Sequence, residues 1–571
     1  MTSPFHRAWG LVHSLLPARA DLALMGRAPR RDLLAGLTVA IVALPLALGF
    51  GISSGAGAEA GLATAVVAGA LAAVFGGSNL QVSGPTGAMT VVLVPIVAEY
   101  GTRGVLAVGL LAGLLMVALS VARAGRYMSY VPAPVIEGFT LGIAGVIGLQ
   151  QVPSALGVPK PDGENVVAIA WRAAGEFLHE PNWMAIVLAC GVVGLMLAGA
   201  RWKPTVPFSL IAVVVATVVT KALHLDAAMI GHLPSGLPAP SLGFVHPSEV
   251  PSLLAPAVAV AALAALESLM SASAADAMSV GQRHDSDKEL FGQGLANIAA
   301  PLFGGVAATG AIARTAVNVR SGASSRLAAL THAGVLAVIV FAAAPLVSGI
   351  PLAALAGVLI ATAIRMVEVG SLRAMARATR SDAVILALTA AATLALDLVM
   401  AVLVGMAVAG ALALRAVARQ TRLDQVPLDR GDHTAEEHAL LAEHIVAYRI
   451  DGPLFFAAAH RFLLELTDVA DVRVIILRMS RVTTIDATGA LVLKDAIDKL
   501  TRRGITVMAS GIRPGQVRTL DSLAALDALR ANGRVYATTP DAIHAARIHL
   551  HHAGVLATPA QTSTAVEEPV R

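Results

Sequence analysis

The amino-acid sequence predicts a polytopic α-helical membrane protein of fourteen spans, built as two inverted sets of seven and followed by a small α/β domain. Three observations predict it. Of 571 residues, 56% are hydrophobic and 14% charged, whereas a soluble domain carries about 25% charged residues. The charge is unevenly spread, with 43 of the 78 charged residues in the first 420 positions (about 10%) and 35 in the last 151 (about 23%). Finally, the basic residues of the apolar body sort to one side of the alternating segments. A greasy body therefore carries a polar tail.

Fourteen spans of about 20 residues need about 280 residues, and residues 31–419 hold them with short loops. Residues 1–31 read as an N-terminal cytoplasmic segment. They carry Arg7, Arg19, Arg27 and Arg30 without a continuous apolar core, so no cleavable signal peptide is expected. Apolar segments then follow at 34–52, 60–75, 85–99, 104–122, 131–151, 184–200 and 206–224. A second set runs 251–275, 288–301, 310–320, 325–343, 350–366, 381–396 and 398–416. The third, ninth and tenth are short for a simple crossing.

With both ends cytoplasmic, the inner loops hold Arg123, Arg126, Arg201, Lys203, Arg283, Lys288, Arg320, Arg326, Arg365, Arg373, Arg377 and Arg380, and the outer loops only Arg103, Lys160, Arg172 and Lys221. That is the positive-inside asymmetry. An even span count follows from it.

The two sets echo one another. Phe75-Gly76-Gly77 precedes Thr86-Gly87-Ala88, and Phe303-Gly304-Gly305 precedes Thr309-Gly310-Ala311. Paired Gly/Pro-interrupted segments at matching places of two halves point to the central site of a transporter. Seven is odd, so the second copy enters from the opposite side and the broken helices face each other.

Past 420 the character changes. Residues 421–439 read as a linker and 440–555 as a soluble domain, with strands at 445–450, 472–477 and 505–510 and helices at 488–500 and 519–529. Residues 556–571, rich in Pro, Thr, Ser and Glu, are expected to be disordered.

Four constellations carry candidate chemistry. In Gln81-Val82-Ser83-Gly84-Pro85-Thr86-Gly87-Ala88-Met89, Pro85 opens a helix whose first amides point into the membrane interior. In Ala307 to Asn318, a second half-helix starts near Gly310, and Arg314 adds a permanent charge one turn in. Two facing N-termini and a guanidinium make a pocket for a small anion. The bland reading of the first stretch is a plain loop, and of Arg314 a structural ion pair.

The third is Glu267, an acid inside an apolar helix and a candidate proton carrier, with Ser271 one turn away on the same face. A fixed Glu267–Arg314 salt bridge is the structural alternative. The fourth is Ile485-Asp486-Ala487-Thr488-Gly489, where Asp486 suits a helix cap and Thr488 a regulatory position. The acidic and basic run 276–289 suits helix capping better than metal binding, and His549, His551 and His552 lack the partners of a zinc site. No cofactor or metal is expected. The single Cys190 rules out an intrachain disulfide, and a formal charge of +4 gives no argument for nucleic acid. No nucleophile with its base stands out, so an enzyme fits worst.

The residues now quoted resemble the SulP family of anion transporters over about 31–553, most specifically in Gly84-Pro85-Thr86, in 275–297 and in Thr309-Gly310-Ala311-Ile312-Ala313-Arg314-Thr315. The tail resembles a STAS domain. The resemblance implies core and gate domains, elevator-like alternating access, usually a homodimer, and a bacterial inner-membrane location. It places the substrate-binding residues at Phe50, Gly87, Ala88, Met89, Ala311, Ile312, Ala313 and Arg314. Pro45-Leu46 departs from the Pro-Gln of many members, and the sodium-coupled bicarbonate members have Asp for Glu267 and Thr for Ser271. The expectation is therefore proton-coupled symport of a small anion of the sulfate, bicarbonate or dicarboxylate class. Sodium-coupled bicarbonate uptake and a nucleobase permease of similar fold are the alternatives, with membrane lipid and a cytoplasmic partner of the tail as further contacts.

Overall fold

The computed structural model describes residues 15–17, 23–126, 131–163, 165–203, 206–231, 233, 236–279, 282–396, 398–420, 422–426, 444–455 and 472–555. The chain divides into two compact units, 1–409 and 410–571.

The first unit is helical. Its elements run α1 (Pro29–Ser53), α2 (Ala58–Phe75), β1 (Ser83–Gly84), α3 (Gly87–Val121), α4 (Ala133–Gln150), α5 (Val152–Leu156), α6 (Val166–His179), α7 (Trp183–Trp202) and α8 (Phe208–Ala222). The second half runs α9 (Val250–Met278), α10 (Ser286–Leu302), β2 (Thr309–Gly310), α11 (Ile312–Arg320), α12 (Leu327–Ala342), α13 (Ala344–Val347), α14 (Leu352–Met366), α15 (Val369–Ala378), α16 (Arg380–Ala395) and α17 (Leu398–Gln420).

Each of the fourteen apolar segments is helical. Among the described residues, eight stretches of helix are long and apolar enough to cross a membrane, and α8 and α12 are shorter apolar helices. The third and fourth segments are one element, α3, broken at Gly101 where φ is 66° and ψ −176°. The tenth, α11, has nine residues, about 13 Å of helix, or half a hydrocarbon core.

The membrane-facing surface is legible in single helices. α7 has 20 residues, about 30 Å long. Trp183 and Trp202 at its two ends are 65% and 78% exposed, with Val187 exposed between them, which is the pattern of a span anchored by aromatics at both interfaces. Inside the bundle, small residues bring helices together. A methyl group at Gly113 of α3 would lie 2.6 Å from the Ile298 amide of α10, and one at Gly294 2.9 Å from the Val117 amide, so only glycines permit this crossing.

The two halves brace each other reciprocally. Glu289 of α10 accepts from the Gly77 and Ser78 amides (2.9 and 3.2 Å) in the turn after α2. Thr64 of α2 accepts from the Val306 amide (2.7 Å) and donates to its carbonyl (3.0 Å) in the turn after α10. The Gly-Gly echoes thus mark the two turns that each half offers to the other. In the loop before α10, Asp285 caps that helix through the Asp287 and Lys288 amides, and Asp276 holds the His284 ring at 2.7 Å. These acids cap and tether, as expected.

Among the described residues, the second unit holds a six-stranded sheet in the order β3-β4-β5-β7-β8, with β6 paired to β4. The strands are β3 (Arg422–Val426), β4 (Ile445–Leu454), β5 (Val474–Arg478), β6 (Val482–Ile485), β7 (Thr506–Ser510) and β8 (Val535–Tyr536). β3 pairs antiparallel with β4, and the remaining pairings are parallel. Alternation along the strands builds two cores. Ile475, Leu477, Val507 and Ala509 face α18 (Ala487–Arg502), while Val474, Ile476 and Met508 face α21 (Thr539–His552).

Two expectations are corrected. The linker assigned to 421–439 opens with β3, whose five residues pair with β4; its polar composition hid an edge strand. The helix expected over 519–529 is two, α19 (Pro514–Ser522) and α20 (Asp527–Ala531), separated where Ala524 takes φ 50°. In one helix Leu520 would point away from Ala525, Leu526 and Leu529; the break lets all four enter one core. The expected tail, 556–571, and most of the linker lie outside the described residues.

Candidate functional site

The site forms where β1 and β2 cross. Ser83 pairs with Gly310 and Gly84 with Thr309, antiparallel, and the Ala311 amide donates to the Val82 carbonyl at 2.9 Å. Two strands of two residues suffice to tie the N-termini of α3 and α11 together. Each half-helix then presents its positive end at the same place.

The amides available there can be counted. Thr86 caps α3, taking the Met89 amide on its hydroxyl (3.3 Å) and the Thr90 amide on its carbonyl (3.0 Å). Gly87 and Ala88 keep first-turn amides with no partner among the described residues. In α11 the Thr315 amide bonds to the Ala311 carbonyl at 2.9 Å, which leaves the amides of Ile312, Ala313 and Arg314 in the same condition. Of the predicted residues, Met89 and Ala311 thus contribute shape, and their N–H groups are already used.

Arg314 is 2% exposed. Its Nη2 donates to the Pro85 carbonyl at 2.6 Å, and its Nη1 is buried without a partner. Gly84 makes room for it, since a methyl group there would sit 2.6 Å from Nη1. A buried guanidinium with spare donors is poised for an anionic ligand. Phe50 is buried, and its ring lies against Gly87, Cε1 being 3.1 Å from where a methyl group on that glycine would project. The crossing is open on one side, where Ala313 is exposed and Glu267 only half-buried.

Glu267 reaches the crossing from α9. Its Oε2 accepts from the hydroxyls of Thr86 (2.9 Å) and Thr309 (2.7 Å), which themselves lie 3.2 Å apart. One carboxylate oxygen therefore joins Thr86, the cap of α3, to Thr309 of β2, just ahead of α11. No Glu267–Arg314 ion pair within 4 Å exists among the described residues, so the salt-bridge alternative is not what holds the halves.

Ser271 does not touch the acid. Its hydroxyl pairs with Thr315 at 3.0 Å, and Thr315 in turn accepts the Val82 amide. Ser268, on the same helix, accepts the Gly310 amide at 3.0 Å.

Sequence reasoning missed the neutral polar scaffold. Asn297 of α10 pairs with both the carbonyl (2.9 Å) and the amide (2.8 Å) of Ala308, as a neighbouring strand would. Gln293 donates to Ser83, and Asn318 to the Leu80 carbonyl at 2.8 Å. Thr86 and Thr309 carried the one available signal, since each opens a repeated Thr-Gly-Ala. In the second unit, Asp486 caps α18 through the Gly489 amide at 2.7 Å, and Thr488 is exposed in its first turn.

Comparison with known proteins agrees with this architecture. The family model described as the sulfate permease family matches residues 30–389, and that of the STAS domain residues 439–542. A putative sulfate transporter, YvdB of Bacillus subtilis, is 35% identical over 495 residues, 85% of this chain and 92% of that one. The bicarbonate transporter BicA of a Synechocystis species is 32% identical over 509 residues, covering 86% and 90%. The solved transmembrane domain of a cyanobacterial BicA is 34% identical with a TM-score of 0.59, covering 67% of this chain and 98% of that one. The murine Slc26a9 anion transporter shares the fold alone, at 16% identity and a TM-score of 0.78 over 94% of this chain and 95% of that one. The chain belongs to the sulfate permease family and is a multi-pass integral membrane protein with a C-terminal STAS domain.

Proposed function

We propose that this transporter carries a small oxyanion of the sulfate or bicarbonate class into a bacterial cell by proton-coupled symport. The observation that supports it best is the crossing of β1 and β2. There the first-turn amides of Gly87, Ala88, Ile312 and Ala313, without a partner among the described residues, gather with the spare Nη1 of Arg314, and one oxygen of Glu267 joins the Thr86 cap to Thr309 of β2. Fixed amides and a guanidinium favour negative charge with little regard to the anion's identity. The likeness to a putative sulfate transporter and to bicarbonate transporters narrows the class.

Glu267 supplies the coupling. Protonated, it frees the hydroxyls of Thr86 and Thr309, and loading a proton with the anion lowers the charge that must cross the bilayer. Alternating access is elevator-like, in a homodimer of the inner membrane with both termini cytoplasmic. The STAS unit serves regulation through Thr488 or a cytoplasmic partner. Sodium-coupled bicarbonate uptake is the second reading, favoured by the likeness to BicA. A nucleobase cargo is disfavoured by the buried charge of Arg314.

Uptake of labelled sulfate and labelled bicarbonate into proteoliposomes tests this. An inward proton gradient should accelerate uptake of one of them, and replacing sodium by choline should leave it unchanged. Uptake indifferent to the proton gradient and dependent on sodium would establish the second reading instead.

A further inference from the structure

A second cavity, of about 200 Å³, lies between α1, α3, α5 and α14, at the end of the bundle where α1 and α4 finish and α14 begins. It is roomy enough for a small anion and several waters. Its walls include Gly49, next to Phe50, and Val94 of α3. Val94 is seven residues past Gly87, so the cavity sits about 10 Å along α3 from the crossing.

The polar side chains of this cavity are Ser53, Gln150, Gln151, Ser154 and Lys160. Among the described residues Lys160 is the one charged residue of its lining; it is exposed to solvent and makes no ion pair with any of them. Gln150 holds a buried Nε2 with no partner. Gln151, 4% exposed, spends one amide hydrogen on Ser53 (3.0 Å), which leaves a second. Loss of water around the Lys160 ammonium pulls its pKa below the usual lysine range. A solvent-exposed ammonium with no ion pair among the described residues, beside the buried, unpartnered Nε2 of Gln150, suits an anionic ligand.

We propose that this cavity is an antechamber that binds a small oxyanion ahead of the crossing, with Lys160 supplying the charge and Gln150 and Gln151 the hydrogen bonds. It rests on the reading of this chain as an anion transporter only for the direction of traffic. The topology that places both termini in the cytoplasm puts this end outside, so Lys160 meets the anion first and raises its local concentration.

The test is acetylation of Lys160 in the purified full chain by a sulfonated succinimidyl acetate, followed by peptide mass spectrometry. It is run in sodium sulfate, in sodium bicarbonate, and in sodium gluconate of equal ionic strength, on wild type and on Arg314→Gln. At least one of the two oxyanions should slow Lys160 modification by roughly threefold or more in both proteins, leave Lys494 and Lys499 unaffected, and do so less in Gln150→Leu. Equal modification in all three salts overturns the proposal. So does protection that vanishes in Arg314→Gln, which would trace the effect to the crossing. Protection without any uptake of either anion would sink the transport reading and leave the antechamber standing.

Discussion

Replacing Arg314 removes the one full positive charge that the described residues place at the crossing. Its guanidinium is buried, spends Nη2 on the Pro85 carbonyl and keeps Nη1 free. For an anion about 4 Å away at an effective dielectric constant of about 20, the attraction is about 4 kcal/mol. Part of it is offset by desolvating the anion, which leaves about 2–4 kcal/mol, or roughly thirty- to a thousandfold in half-saturation at about 1.4 kcal/mol per tenfold. Arg314→Gln should raise the half-saturating anion concentration by that factor. Arg314→Lys keeps the charge but cannot both reach Pro85 and present a second donor, so a loss of about tenfold is expected, one charge-assisted hydrogen bond. The assay is initial uptake of labelled sulfate and bicarbonate into proteoliposomes, with reconstituted protein quantified and monodispersity checked. Half-saturation within about twofold of wild type in Arg314→Gln would refute the role assigned to this residue.

Further expectations follow from other parts of the structure. Glu267→Gln keeps the shape of the group that bridges Thr86 and Thr309 but cannot exchange a proton, so anion exchange across the membrane should survive while stimulation by a proton gradient disappears; stimulation equal to wild type counts against the coupling. Asp32 is fully buried and accepts from the Ser324 amide (2.6 Å), the Ser325 amide (3.3 Å) and both serine hydroxyls. Asp32→Ala strands those donors at about 1–3 kcal/mol each, so the unfolding temperature of the full chain should fall clearly, and an unchanged melt would show that the cluster contributes little.

In the STAS unit, partial burial first, and then the charges of Arg534 and His552, hold the His549 pKa below the ordinary histidine range. The unfolded chain then binds the proton more tightly, so the contribution is present above the ordinary range of about 6.5 and is lost as pH falls below it. After correction for intrinsic exchange, amide protection of β7, whose Thr506 meets His549 at 3.1 Å, should drop with acid in wild type and less in His549→Gln. Identical profiles would discount the histidine.

Much of the membrane unit was legible because charge and apolarity are one-dimensional signals. All fourteen apolar runs are helical, the third and fourth within the single element α3, and Arg314 and Glu267 stood out simply as charges in apolar surroundings. The repeated Thr-Gly-Ala located both half-helices. What escaped were contacts between neutral groups distant in sequence, as between Asn297 and the backbone of Ala308, Ser268 and Gly310, or Gln293 and Ser83. Nothing in the composition of an Asn or a Ser says which backbone it will satisfy. Helical spacing correctly put Ser271 on the face of Glu267, yet Thr315 of α11 captures its hydroxyl, a competition visible only once the elements are packed. The break at Ala524 escaped for the same reason, because a core on one side of a sheet decides it.

The place of the anion is open to direct observation in a cryo-EM map of the full chain saturated with whichever anion it transports. Density bounded by the Gly87 and Ala88 amides, the Ile312 and Ala313 amides and the Arg314 guanidinium is the expected result. An empty crossing at saturating anion, with ordered density elsewhere in the bundle, would contradict the assignment of the β1–β2 crossing as the transport site.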